Sequence, residues 1–224
     1  NEVLRKLGLN TVANLDSTKQ SQLLTDYLND VVDEISDFGD WQEMLRTQKV
    51  TAQSSVVRYE IATSGNLKNI VEIAWGDQPA SMELRTLEEI RLLTRVGSYG
   101  TPRQWAVVGV SGVNPLVDVF PAPTTASMSA QTSAGGVFDV LYYKKPAIII
   151  AVTANNSAIP AFPARMLVMG VYAKALLQEN GGEPSNEFQV VFTEYMRMRQ
   201  EALNRFNADS GTDVYFTPTG GRYG

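Results

Sequence analysis

The sequence predicts an α+β protein, with a helical bundle built from its N- and C-terminal helices, a β-rich insertion between them and an extended C-terminal tail. Apolar residues recur at helical spacing near both ends of the chain. In the middle, β-branched and aromatic residues alternate with polar ones between turn residues. The last residues, 209–224, are rich in Gly and Thr and follow neither pattern.

Residues 1–45 are expected to supply the N-terminal helices of the bundle. A short helix fits Glu2 to Leu7, because Gly8 can close it. A long helix fits residues 17–38, where Gly39 ends the pattern. One apolar face recurs along this long helix at Leu24, Tyr27, Leu28, Val31, Ile35 and Phe38. That face predicts packing against other helices of the bundle.

Residues 46–158 are expected to form the β-rich insertion with one short helix. The helix fits residues 86–96, with Thr86 and Glu89 as a capping box and Gly97 as its end. The Ser/Thr/Ala/Gly-rich segment from Thr124 to Gly136 is predicted to be a loop. Strands are expected at 45–61, 70–75, 104–110, 116–120 and 137–143.

Residues 159–208 are expected to complete the bundle with two helices. The segment from Met166 to Leu177 is apolar almost all round, which predicts burial on most sides. Gly170 lies within it and would let a neighbouring helix approach closely. A second, long helix is expected from Pro184 to about residue 207. Since neither helical part looks sufficient alone, the whole chain is predicted to be a single structural unit.

Composition excludes several classes of function. The chain has no cysteine and no histidine, which removes thiol catalysis, zinc–thiolate sites and the commonest general base and metal ligand. The formal net charge is −5, so tight sequence-independent binding of nucleic acid is not expected. The apolar run from Ala147 to Val152 is far too short to cross a membrane. We therefore expect no enzyme, no catalytic residue, no cofactor, no metal site and no membrane partner.

Four aspartates form an acidic stripe on the first long helix. Asp26, Asp30, Asp33 and Asp37 are spaced by four, three and four residues, which places them within roughly 60° of one another at about 100° per residue. Such a stripe could line a channel through which DNA passes, or hold a cation such as Ca²⁺ or Mg²⁺. The ordinary alternative is a solvated helix face.

Adjacent carboxylates do not form a convincing acid/base pair. Asp33 and Glu34, like Glu88 and Glu89, are neighbours on predicted helices, where successive side chains point in different directions. A carboxylate-based glycan hydrolase would need two carboxylates facing each other across a groove, about 5 to 10 Å apart. This enzyme class stays open only as the less favoured alternative.

Three segments together resemble a known family. They are Tyr99–Val107 (YGTPRQWAV), Leu116–Pro123 (LVDVFPAP) leading to Val140–Tyr143 (VLYY), and Ile159–Pro163 (IPAFP). This order is similar to that of the head-to-tail adaptor, or connector, proteins of tailed bacteriophages, especially the short-tailed type. The resemblance covers roughly residues 66–182.

The resemblance implies a structural role without catalytic residues. Family members form a ring, usually of twelve copies, below the portal protein in the virion at the head–tail interface, after assembly in the host cytoplasm. The ring extends the DNA channel and offers a platform for tail, nozzle or tail-fibre proteins, while DNA passes without specific binding. Another virion ring protein, such as a tail-tube or neck component, is the alternative within the same class.

The aromatic tail is the second candidate site. In this family the C-terminal segment often reaches the portal, so the resemblance implies a docking arm that contains Val214, Tyr215, Phe216, Arg222 and Tyr223. Aromatic side chains are common anchors of protein interfaces. The alternative is that these side chains fold back onto their own subunit.

Overall fold

A computed structural model describes most of the chain. The described residues are 2–6, 19–62, 67–76, 80–131, 136–147 and 162–209. They combine helices and strands, which confirms the α+β class. The structure divides into two compact units: a helical unit from residues 1–43 and 148–224, and a β unit from residues 44–147.

The described residues form six α-helices and nine strands. The helices are α1 (Glu2–Lys6), α2 (Lys19–Phe38), α3 (Leu87–Val96), α4 (Thr125–Ser129), α5 (Ala164–Glu179) and α6 (Asn186–Asp209). The strands are β1 (Leu45–Thr51), β2 (Arg58–Glu60), β3 (Leu67–Trp75), β4 (Glu83–Leu84), β5 (Tyr99–Gly100), β6 (Gln104–Ser111), β7 (Asn114–Phe120), β8 (Ala122–Pro123) and β9 (Val137–Lys144). A short 3-10 helix spans Gln42–Met44.

Helix α5 is the centre of the helical unit. It contacts α1, α2 and α6, and its buried residues are Met166, Leu167, Gly170, Val171, Tyr172, Ala173, Ala175 and Leu176. A Cβ atom at Gly170 would lie 2.7 Å from Val31 Cγ1 and 3.0 Å from Tyr195 Cε2. The prediction of a close approach at Gly170 is therefore confirmed. The wider bundle arrangement and the tail stay predictions.

Trp41 closes the C-terminal end of α2. Its indole Nε1 donates a hydrogen bond to the Ile35 carbonyl oxygen at 2.7 Å, and its ring meets Phe162 edge-on with centroids 5.3 Å apart. Only 2% of Trp41 is exposed. The hydrogen bond therefore ties Trp41 back to α2, and the aromatic contact ties it to Phe162, just before α5.

The β unit contains three sheets. An antiparallel sheet has the order β1-β9-β3, a mixed sheet has the order β2-β7-β6-β4, and β5 and β8 form a parallel pair. Their core includes Trp75 and Tyr59, whose rings both meet Phe138 edge-on. The other buried residues of this core are Ala52, Ile61, Ile73, Met82, Trp105, Val117, Val119, Val140 and Tyr142. Alternating apolar residues of both larger sheets thus face one core.

A charged pair joins strands β2 and β7 of the mixed sheet. Arg58 on β2 is directly opposite Asp118 on β7, and its Nε and Nη2 donate to the two carboxylate oxygens at 2.7 and 2.8 Å. The Asp118 side chain is only 6% exposed, whereas that of Arg58 is 56% exposed. A buried carboxylate needs such a partner, because an unpaired charge is costly to remove from water.

The structure confirms the helix expected at 86–96 and corrects the segment expected to be a loop. Thr86 and Glu89 form the predicted capping box, and Gly97 follows the last helical residue with a φ of 62°. The predicted loop from Thr124 contains helix α4, which Thr124 and Ser127 cap reciprocally. A five-residue helix is too short to show helical periodicity, and its capping box has Ser in place of the usual Glu or Gln.

The strand expected over 45–61 is two strands. Strand β1 ends at Thr51, and β2 begins at Arg58. Between them Ser55 adopts a φ of 64°, which a continuous strand does not allow. Across the described ranges, no helix has the length and apolar character needed to cross a membrane.

Candidate functional site

The acidic stripe lies on the exposed side of α2. Asp26, Asp30, Asp33 and Asp37 are all exposed. The opposite side of the helix packs on α5, and its buried residues include Val31, Val32 and Ile35. The structure therefore brings the four predicted carboxylates to one accessible face. Whether that face lines a channel stays a prediction.

Lys174 partly neutralises one side of the stripe. This α5 residue places its Nζ 2.6 Å from an oxygen of Glu34 and 3.8 Å from an oxygen of Asp30. Exposed ion pairs of this kind contribute little stability, typically about 0–1 kcal/mol. Their main effect is on the local field, which becomes less negative toward α5 than toward solvent.

A wide, open groove of about 530 Å³ lies beside three of the four stripe residues, and Asp26 is outside its lining. Its lining residues are Asp30, Asp33, Glu34, Asp37, Phe38, Lys174 and Arg199. The Arg199 guanidinium lies 3.9 Å from the centroid of the Phe38 ring, a cation–π contact that fixes its position. Because four carboxylates face two cations, the groove has a net negative charge.

Tyr195 lies beside this groove without serving as a base. Its ring is 5.6 Å from the Arg199 guanidinium carbon. Burial, with the charge of Glu34 as a smaller cause, raises the pKa of Tyr195 to about 12. The hydroxyl is therefore neutral at neutral pH, and a general base needs a pKa near the working pH.

The cation-site interpretation of the stripe finds no support. Within the part of the chain that the structure describes, no three Asp or Glu side chains come together closely enough to hold a metal ion. A Ca²⁺ ion requires about six to eight oxygen ligands that converge on one point. The four aspartates instead follow one another along the length of a helix.

Glu89 has a structural task rather than a catalytic one. Its Oε2 accepts hydrogen bonds from the Thr86 backbone N–H at 3.0 Å and from the Thr86 hydroxyl at 2.9 Å. The backbone hydrogen bond, followed by the hydroxyl bond, lowers the pKa of Glu89. A general acid of a glycan hydrolase needs a raised carboxyl pKa, so Glu89 does not have that property.

The predicted docking arm lies outside the described residues. Val214, Tyr215, Phe216, Arg222 and Tyr223 all follow Asp209, where α6 ends. Their role at the portal stays a prediction.

Sequence reasoning missed the two cations of the groove. Lys174 carried a signal, because it is the only charged residue between Met166 and Leu177. A single charge in an apolar helix often marks the point where the helix reaches a polar partner. The sequence gives no comparable signal for Arg199. This residue lies among other charged residues of α6, and its stacking on Phe38 depends on the tertiary fold.

Comparison with known proteins gives one family. The model of the SU10 adaptor protein family matches residues 1–222. None of the curated proteins matches the chain at a significant level. The family match covers both units and the predicted tail up to Arg222.

Proposed function

Since the chain belongs to the SU10 adaptor protein family, and is thus a phage adaptor protein, we propose that it joins head to tail as a ring of identical copies below the portal. The ring extends the DNA channel and provides a platform on which tail proteins dock. Twelve copies is the number that the family resemblance implies. The observation that carries the proposal is the family match over residues 1–222.

The composition of the chain and the environment of its carboxylates support a structural role. The chain has neither cysteine nor histidine. The carboxylates that could have suggested catalysis are engaged in capping, as at Glu89, or lie along an exposed helix face. The proposal predicts that electron microscopy of the protein with its portal shows a ring coaxial with the portal.

The acidic stripe supplies a way to pass DNA without binding it. A subunit with a formal charge of −5 repels phosphate, and twelve copies would carry −60. In this proposal Asp26, Asp30, Asp33 and Asp37 face the channel. A basic lining would instead hold the DNA through phosphate contacts and slow its exit.

Charge reversal of the stripe is expected to slow DNA ejection. The variant replaces Asp26, Asp30, Asp33 and Asp37 with lysine, which raises the formal net charge of each subunit by eight. We expect intact rings and an ejection rate at least several-fold lower, with a stronger dependence on salt because released counterions drive the new phosphate contacts. The rate is measured by fluorescence of a DNA-binding dye outside the virion.

A matched control reverses four exposed carboxylates outside the stripe, namely Glu2, Glu43, Glu60 and Glu183, to lysine. The control is expected to eject DNA at a rate close to that of the wild type. An unchanged rate in the stripe variant would show that the stripe is an ordinary solvated helix face.

A further inference from the structure

Helix α3 of the β unit is apolar on two opposite sides. Ile90 is fully buried, and the helix contacts β6 and β7. Leu92 and Val96 are nevertheless 62% and 80% exposed. At about 100° per residue they lie roughly 200° and 240° around the helix from Ile90, so they point away from the sheet. Adjacent exposed apolar residues on an ordered helix often mark a surface that another protein covers.

Two arginines flank this exposed surface. Arg91 and Arg95 are exposed and one helical turn apart. Among the described residues, no carboxylate pairs with either guanidinium. We call Arg91, Leu92, Arg95 and Val96 the outer ridge of α3. Leu92 and Val96 would pack well on an apolar surface, and the two arginines would pair with carboxylates at its edge.

The helical unit has a groove with that chemistry between α2 and α5. The groove has a volume of about 170 Å³, and its lining residues are Gln20, Leu23, Leu24, Tyr27, Ala175, Gln178 and Glu179. Small-molecule sites usually enclose about 300–1,000 Å³, so this space suits one or two inserted side chains better than a ligand. Leu23 in the groove is 43% exposed.

The rim of this groove is acidic at the end of α5. Glu179 is exposed and is the last residue of that helix, where the backbone carbonyl groups add negative potential. An arginine is favourable at such a helix end, both through the dipole and through the carboxylate. None of the four stripe residues lines this groove.

We propose that the outer ridge of α3 in one copy packs into the α2–α5 groove of the next copy. Leu92 and Val96 contact Leu23 and Tyr27, and Arg95 pairs with Glu179. The partner is a second copy because ridge and groove have complementary charge and polarity and belong to the same chain. A closed ring needs two different, mutually complementary surfaces on every subunit, which this pair provides. This inference rests on the proposed ring.

Disulfide crosslinking tests the contact directly, because the natural chain has no cysteine. The variant Leu23→Cys/Leu92→Cys is assembled with its portal, oxidised and separated on a denaturing gel without reductant. Since each copy contributes one cysteine to each neighbour, we expect a ladder from dimers to high multimers. The matched control, Leu23→Cys/Val113→Cys, uses another exposed residue of the β unit and should stay largely monomeric.

The outcomes separate this inference from the proposed function. Rings that form while the Leu23→Cys/Leu92→Cys variant gives no ladder would overturn the ridge–groove contact and leave the adaptor ring standing. A crosslink confined to single chains would overturn the contact as well. If the wild-type protein forms no ring with its portal, both the proposed function and the contact are wrong.

Charge exchange provides a second readout that needs no new covalent bond. The variant Arg95→Glu is expected to lower ring assembly at least several-fold, because it faces Glu179 with a like charge. Adding Glu179→Arg to the same chain should restore much of the loss. Absence of any restoration, with both single variants folded by circular dichroism, would contradict the proposed pairing.

Discussion

Replacing Arg58 with methionine is expected to destabilise the β unit by about 3 kcal/mol, near the low end of the range for one lost partner of a buried ion pair. The low end applies because Arg58 itself is 56% exposed, while Asp118 is 6% exposed and would be left without its bidentate partner. Urea denaturation followed by tryptophan fluorescence measures the change, since Trp75 and Trp105 both lie in the core of this unit.

The double variant Arg58→Met/Asp118→Leu is the matched control for this prediction. Removing both charges leaves no buried carboxylate to desolvate, so the free energy of unfolding should recover most of the loss. A loss of less than about 0.5 kcal/mol in the single variant, the level of an ordinary surface substitution, would show that water already solvates Asp118.

Truncation after Ala208 is expected to abolish portal binding while the subunit stays folded. The removed segment, residues 209–224, begins at the last residue of α6 and contains Tyr215, Phe216 and Tyr223. Truncating a hot-spot residue of an interface costs about 2 kcal/mol or more, and such residues are often aromatic, so losing these three should weaken binding by at least a hundredfold even if their effects do not add. Surface plasmon resonance with immobilised portal measures the affinity, and thermal unfolding measures stability.

A full-length variant separates the aromatic anchors from the length of the tail. Replacing Tyr215, Phe216 and Tyr223 with serine should weaken portal binding nearly as much as the truncation does. Portal binding at unchanged affinity after truncation would refute the docking role. A large fall in melting temperature would instead show that the aromatic side chains belong to the core of their own subunit.

Long periodic patterns and conventional caps made the helices predictable from the sequence. The apolar face of residues 17–38 identified α2, and the capping box at Thr86 with the glycine at 97 indicated both ends of α3. The nearly continuous apolar character of Met166–Leu177 indicated the buried centre of the helical unit. These features are local, so a single sequence carries them.

Features that depend on tertiary contacts could not be predicted. Asp118 interrupts an apolar strand, but nothing local shows that its partner is Arg58, 60 residues earlier. Helix α4 was too short for a periodic signal, and the stacking of Arg199 on Phe38 joins two distant helices. The exposed stripe was predictable as a pattern, whereas the proposed channel role depends on other subunits and stays a prediction. The predicted boundaries at residues 45, 158 and 208 stay predictions.

Electron microscopy of the purified protein, alone and mixed with its portal, tests the adaptor ring most directly. Two-dimensional class averages of the mixture should show a closed ring, coaxial with the portal and attached below it, with twelvefold symmetry. Mass photometry of the same sample should give a mass equal to one portal plus twelve chains of 24.6 kDa. A subunit that stays monomeric beside the portal, or that grows into an open filament, would contradict the proposed function.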